Sequence, residues 1–152
     1  MSNALSLYNR FANLPFGKSL FSRLVCFKAP YFGTISPRFA ELRPGYGEIR
    51  MRKRRRVQNH LGTVHALAMG NLCELVAGMT LDVSLPPKMR WIPRSMNIEY
   101  LRLARTDLTA RCSIETAGLD TKKDFPVIVS VTDTAGTEVV RAAITMYISP
   151  KA

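Results

Sequence analysis

Cysteine is scarce in this chain of 152 residues, and the three that occur, Cys26, Cys73 and Cys112, lie far apart. An odd number with no CxxC pair argues against a disulfide framework or a zinc ribbon, and a reducing cytoplasm is the expected compartment. Long apolar runs are missing as well. No stretch of the sequence approaches the ~18 consecutive apolar residues of a bilayer span, so no membrane span is expected. HExxH, clustered Cys and His, a serine nucleophile elbow and a P-loop are all absent, which leaves metal-free chemistry as the expectation. His60 and His65 are five apart and sit poorly on one helical face. Acidic residues are missing from positions 1–40 altogether. An acid-free start containing Ser and Arg also has the composition of a mitochondrial transit peptide, a minor reading beside the cytoplasmic one.

What is present suits one soluble domain over 1–152: 47% hydrophobic and 22% charged residues, enough chain to bury a real core. The net charge of +11 is the unusual feature, and much of it lies in "RMRKRRR" at 50–56. Such an excess concentrates anions at the surface, whether nucleic acid, acidic lipid or phosphorylated small molecules.

Apolar residues at helical spacing predict one or two short helices over 3–28, a helical extension broken near Pro15 and Gly17. A strand over 34–42, the "RPGYG" turn and a strand over 48–57 predict a hairpin. A long helix over 63–79 follows, with Thr63 as its N-cap. After "SLPPKMRWIP", where Trp91 reads as the packed start of a strand, β-branched patterns predict strands over 95–104, 108–115, 125–132 and 137–149. One helix apolar nearly all round, with six strands available, implies an α+β fold in which a sheet wraps the helix.

That helix carries a carboxylate. Glu74 shares a stripe with Gly70, Asn71, Ala77 and Gly78, three or four positions away, and small neighbours leave room for something to approach. The plainer alternative is a Glu74 that is solvated or paired with one of the basic residues. At the other end the helix offers free N–H groups from about Val64 to Leu67 and the positive end of its dipole, a place to hold an oxyanion or polarise a carbonyl. Glu74 lies nine residues after His65, about 13 Å along a helix. One chain cannot bring both ends to the same atom. Two antiparallel copies in a two-fold dimer can, so any site should be shared between subunits.

Asn59, Gly62, His65 and Glu74 together form an NxxGxxH segment followed by an acid nine residues on. This resembles the phenylacetate-pathway type of hotdog-fold acyl-CoA thioesterase, whose pattern is Asn, Gly, His-Gly-Gly and an Asp on the helix. "PFGKSLFSRL", "PYFG", "LRPGYGEIRMRKRRRVQNHLGTVHALAM" and "IEYLRLARTDLTARC" are similar to a bacterial hotdog subgroup of unknown function (DUF4442-like), so the likeness covers nearly the whole chain. It implies an antiparallel sheet around one long central helix, and a homodimer, with a dimer of dimers as the larger assembly. It implies thioester hydrolysis with no cofactor beyond the coenzyme A of the substrate. By position, Glu74 would activate water or attack the thioester, and the Ala66 N–H would polarise its carbonyl. Asn59 and His65 would shape the loop and orient water. Gly62, Leu67, Asn71 and Gly78 would line the substrate. The chain departs from the pattern where His-Gly-Gly becomes His65-Ala66-Leu67, and the oxyanion donor survives because it is backbone.

In an extended strand, Arg50, Arg52, Arg54 and Arg56 would project to one face. A solvated charged face is one reading of the run. A second assigns Arg54 and Arg56 to the phosphates of coenzyme A, which arginine suits. Nucleic-acid binding is the least favoured, because no aromatic interleaves the run to stack a base. Two functions remain in play: an acyl-CoA thioesterase, or a non-catalytic hotdog protein that binds an acyl thioester.

Overall fold

The computed structural model describes residues 3–151. Two helices, α1 (Asn3–Ala12) and α2 (Gly17–Lys28), precede a 3-10 turn at Pro30–Ile35. Strands β1 (Arg38–Arg43) and β2 (Tyr46–Met51) form a hairpin, a second 3-10 turn spans Arg55–Val57, and α3 runs from Ala66 to Ser84. β3 (Met89–Tyr100), β4 (Leu108–Ser113), β5 (Lys123–Thr132) and β6 (Glu138–Pro150) complete one antiparallel sheet in the order β1-β2-β4-β5-β6-β3. The sheet wraps α3, as the sequence implies.

The core is the contact between α3 and the concave face of that sheet. Leu72, Cys73, Leu75, Val76 and Leu81 are essentially inaccessible, as are Ile49, Ala110, Val127, Val129, Ala142 and Ile144 from four strands. Fully burying each large aliphatic side chain contributes about 1.5–3 kcal/mol. This burial explains why α3 is apolar nearly all round: no face of it is left wholly to water. By length and mean hydropathy (1.3) α3 could cross a membrane, contrary to the expectation of no such segment, but 67% of that window is buried against the sheet.

Several boundaries differ from those expected, each for a local reason. α3 starts two residues beyond Val64 because Thr63 spends its hydroxyl on Asn59, and His65 is the cap instead. It extends to Ser84 and stops where Leu85, the residue before Pro86, takes an extended backbone (φ −71°, ψ 145°). β2 ends at Met51 rather than at 57, so the basic run is strand only for its first two residues. Beyond it the chain turns away, with the Lys53 N–H donating to Asp107 Oδ1 at 2.8 Å. β3 starts six residues before the expected 95 and pairs with β6 from Met89 onward. Pro93 sits at a bulge between Pro93 and Ser95 on an edge strand, where a missing N–H is tolerated.

Candidate active site

The loop leading into α3 is built by Asn59. Its Oδ1 accepts from the N–H groups of Leu61 (3.0 Å) and Thr63 (3.1 Å), and its Nδ2 donates to Thr63 Oγ1 (2.9 Å). The Asn59 N–H donates to the Thr63 carbonyl, and the turn passes through Gly62 at a φ of +71°. Glycine is required there for its backbone, and a Cβ at Gly62 would meet nothing. A bridge between Gln58 and Val64 closes the loop, and Val64 N–H donates to the Ala104 carbonyl. Asn59 therefore has its polar side-chain atoms bonded within the loop.

His65 caps the helix. Its Nδ1 accepts from the Leu67 N–H at 3.1 Å, which leaves the ring proton on Nε2 and that edge exposed. The His65 carbonyl accepts from the Ala68 and Met69 N–H groups. Among the described residues, no acceptor takes the Ala66 N–H. One donor of the first turn is therefore free, at the positive end of the dipole.

A cavity of about 230 Å³ opens at this mouth, walled by His65, Leu67, Ala68 and Asn71 of the helix start and by Arg56, Val57 and Gln58. Its far wall is the 3-10 turn, through Tyr31, Thr34 and Ile35. Buried Asn71 donates Nδ2 to Thr34 Oγ1 at 3.1 Å and to the Tyr31 carbonyl at 3.4 Å, while its Oδ1 is buried without a partner. An unmatched buried acceptor is costly unless a donor from elsewhere reaches it. Tyr31, Thr34 and Gln58 escaped the reading of the sequence. "PYFG" shows in the sequence as part of the family likeness with no place at the site, and only folding brings Tyr31 onto Asn71, 40 positions further on.

Glu74 is two turns further on, roughly 12 Å from Ala66, and is not part of that cavity. Glu74 as a residue is half-buried, and among the described residues its carboxylate makes no hydrogen bond or ion pair, so the paired alternative fails. Around it the helix lies along β3. Tyr100 Oη donates to the Ala66 carbonyl, Ile98 Cδ1 would be 3.1 Å from a Cβ at Gly70, and Trp91 Cη2 would be 2.5 Å from one at Gly78. The small residues thus admit β3 rather than leave empty room, and the expected substrate contact at Gly78 is taken by an indole. β3 is an edge strand bonded only to β6. Ile92, Met96 and Tyr100 on it, with Leu67 on α3, are large apolar side chains left exposed.

The two arginines expected on the substrate part company. Arg56 reaches the helix-mouth cavity, whereas Arg54 donates to the Ile35 carbonyl at 3.3 Å and lines a different cavity. Cys73, one position from Glu74, is no nucleophile: burial pushes its thiol up to about 12. Among the described residues no group of three His, Cys, Asp or Glu side chains could hold a metal ion.

Against known proteins, residues 17–148 match the family described as "Domain of unknown function (DUF4442)". The chain belongs to the DUF4442 family. A structural-genomics crystal structure is 40% identical to it, at a TM-score of 0.86, covering 97% of this chain and 98% of that one. A Pseudomonas aeruginosa protein described as a "Probable Thioesterase" is 23% identical, with a TM-score of 0.78 and coverage of 91% and 97%. A Haemophilus influenzae thioesterase is 14% identical, with a TM-score of 0.73 and coverage of 84% and 87%. At those identities the last two establish a shared fold, and this DUF4442 chain has the hotdog fold. No curated protein matches the sequence.

Proposed function

We propose that this DUF4442 protein is an acyl-CoA thioesterase that hydrolyses its substrate at two sites, each shared across a homodimer. The observation that carries the reading is a pair of unused groups. The Ala66 N–H at the helix mouth has no acceptor, and Glu74, two turns along the same helix, has no partner. Both lie beside the open edge of β3, a strand 12 residues long. A long apolar edge strand is a template for another chain. Antiparallel pairing of β3 with its two-fold copy would bring each Glu74 toward the other copy's Ala66.

In that arrangement the Ala66 N–H polarises the thioester carbonyl. Glu74 of the opposing copy takes a proton from water as the water oxygen bonds to the carbonyl carbon. The tetrahedral oxyanion rests on the N–H, and its collapse breaks the C–S bond. The proton held by Glu74 passes to the departing thiolate, giving the free acid and the thiol. The orphaned Asn71 Oδ1 suits an amide N–H of the pantetheine arm, and Arg56 at the same wall suits a phosphate. No metal or cofactor is needed.

Complementation tests the shared site. Ala66→Pro removes only the donor N–H, because proline suits the first helical position and His65 already has the extended backbone (φ −67°, ψ 140°) that precedes proline. Glu74→Gln removes only the charge. Each variant alone should be inactive on a panel of short, long and aromatic acyl-CoAs. Subunits mixed one to one and allowed to exchange should recover about one quarter of wild-type activity, from the one intact site in each heterodimer. No recovery after exchange, or a monodisperse monomer in sedimentation, would rule the shared site out. The exposed Leu67 stands where the resembled pattern has glycine, and it favours a second reading, binding without hydrolysis. Wild type that binds acyl-CoA yet hydrolyses none of the panel would establish that one.

A further inference from the structure

The outer face of α2 is apolar and uncovered. Leu20 and Leu24 are 44% and 37% exposed, and Phe16 and Phe27 at either end are each 89% exposed. Their spacing of four, four and three places them on one stripe, bordered by the buried Gly17 and Phe21 and turned away from buried Ser22. Phe16 holds a φ of +58°, a left-handed conformation unfavourable for a bulky residue, while presenting its ring to solvent. Isolated exposed apolar side chains are ordinary; four on one stripe of a helix are not.

Beside this ridge the same helix forms one wall of a cavity of about 420 Å³. Arg23, Arg38 and Arg54 converge on it with Ser19 and Ser36, and no carboxylate lines it. Arg54 Nε is buried there without a partner. Arg38 also lines the neighbouring hollow with Lys18 and Arg50, so the positive surface continues past the cavity. Three guanidinium groups without a counter-charge fit a phosphate.

We propose that the outer face of α2, together with the Arg23–Arg38–Arg54 cavity at its flank, seats the protein on an anionic phospholipid surface. The ridge enters the boundary of headgroups and acyl chains, and the cavity takes a headgroup phosphate. A second copy of the chain is a poor occupant. Positions 1–40 contain no acid, so pairing two α2 faces would bring Arg23 toward its own copy with no carboxylate on α2 to offset it. A nucleic acid would match the arginines and could stack on Phe16 or Phe27, but it gains nothing from the leucines at the centre of the ridge.

The test is flotation of the full chain with phosphatidylcholine vesicles, with and without about one third phosphatidylglycerol. Binding should require the anionic lipid and weaken as salt rises from about 0.1 to 0.5 M. The pair Leu24→Ser and Phe27→Ser should lower the partition coefficient about tenfold or more, and Arg23→Ser with Arg38→Ser by a similar factor. Both pairs should leave the circular dichroism spectrum and the sedimentation coefficient unchanged. Three results would each overturn the proposal: no binding to anionic vesicles, salt-sensitive binding that ignores the apolar pair, or dissociation of an oligomer by that pair. Salt-sensitive binding to duplex DNA that matches the vesicles, and is equally blind to the apolar pair, would assign the surface to nucleic acid instead. Binding of glycerol 1-phosphate as tight as that of vesicles would assign the cavity to a soluble phosphate ester.

Discussion

The first and third turns of α3 carry the two halves of the proposed site, and they differ in how much of their hydrogen-bonding capacity the fold already uses. At the first turn, Asn59, Thr63 and the His65 Nδ1 are committed to building the loop, and among the described residues the Ala66 N–H and the Nε2 edge of His65 are spare. At the third turn, Glu74 is half-buried with nothing to pair with. The contrast teaches how to tell a group that holds a site from one that acts in it. A saturated polar side chain is already explained by the fold. One that the fold leaves unpaired is available to a ligand.

The comparison is broken most sharply at Glu74. Glu74→Gln should lower kcat by roughly a hundredfold or more, with KM and thermal stability close to wild type because no protein partner is lost. A variant that hydrolyses at the wild-type rate would remove Glu74 from the chemistry. Asn59→Ala should act the other way, costing about 1–3 kcal/mol in a denaturant titration because two backbone N–H groups lose their acceptor. Gly78→Ala distinguishes packing from substrate room, since the added Cβ meets the Trp91 indole 2.5 Å away. It should destabilise by about 1–3 kcal/mol, whereas a residue facing substrate would change KM and leave stability alone. His65→Ala should cost about 1 kcal/mol, the usual value of an N-cap. A loss of kcat as large as that of Glu74→Gln would instead give the imidazole a part in orienting water.

The smallest effect is one of pH, at the foot of the basic run. Burial alone would raise the Glu48 carboxyl, but bonds from Arg50, Arg111 and Tyr46 outweigh it and hold the group below the usual carboxylate range. The folded protein therefore binds fewer protons than the unfolded chain between the lowered and the ordinary value. This stability is present above the ordinary value and lost as pH falls through the lowered one. Glu48→Gln should flatten that part of an acid unfolding curve by under about 1 kcal/mol, because both arginines are largely solvated.

Two helices show what could be read along the chain. α3 was legible because its apolar residues cover most of its circumference, a pattern that only enclosure by other elements satisfies. The break at Pro15 and Gly17 and the strands β4, β5 and β6 were legible within a few residues, through turn chemistry and β-branched alternation. The NxxGxxH segment was legible as a loop because glycine and asparagine have local backbone reasons to be there. The sequence alone thus determined most of the elements and the wrapped helix.

Tertiary structure decided what those residues face. Gly70 and Gly78 looked like room for a ligand, yet only the register of β3 against α3 fills them with Ile98 and Trp91. Arg54 and Arg56 are two positions apart, but the chain leaves the sheet after Met51, and the two side chains enter different cavities. The 3-10 turn that walls the helix mouth comes from a segment 40 positions before Asn71, and α2 keeps an apolar face that none of the described residues covers. Periodicity is a property of neighbours in sequence, whereas contact between distant segments depends on how every intervening element packs.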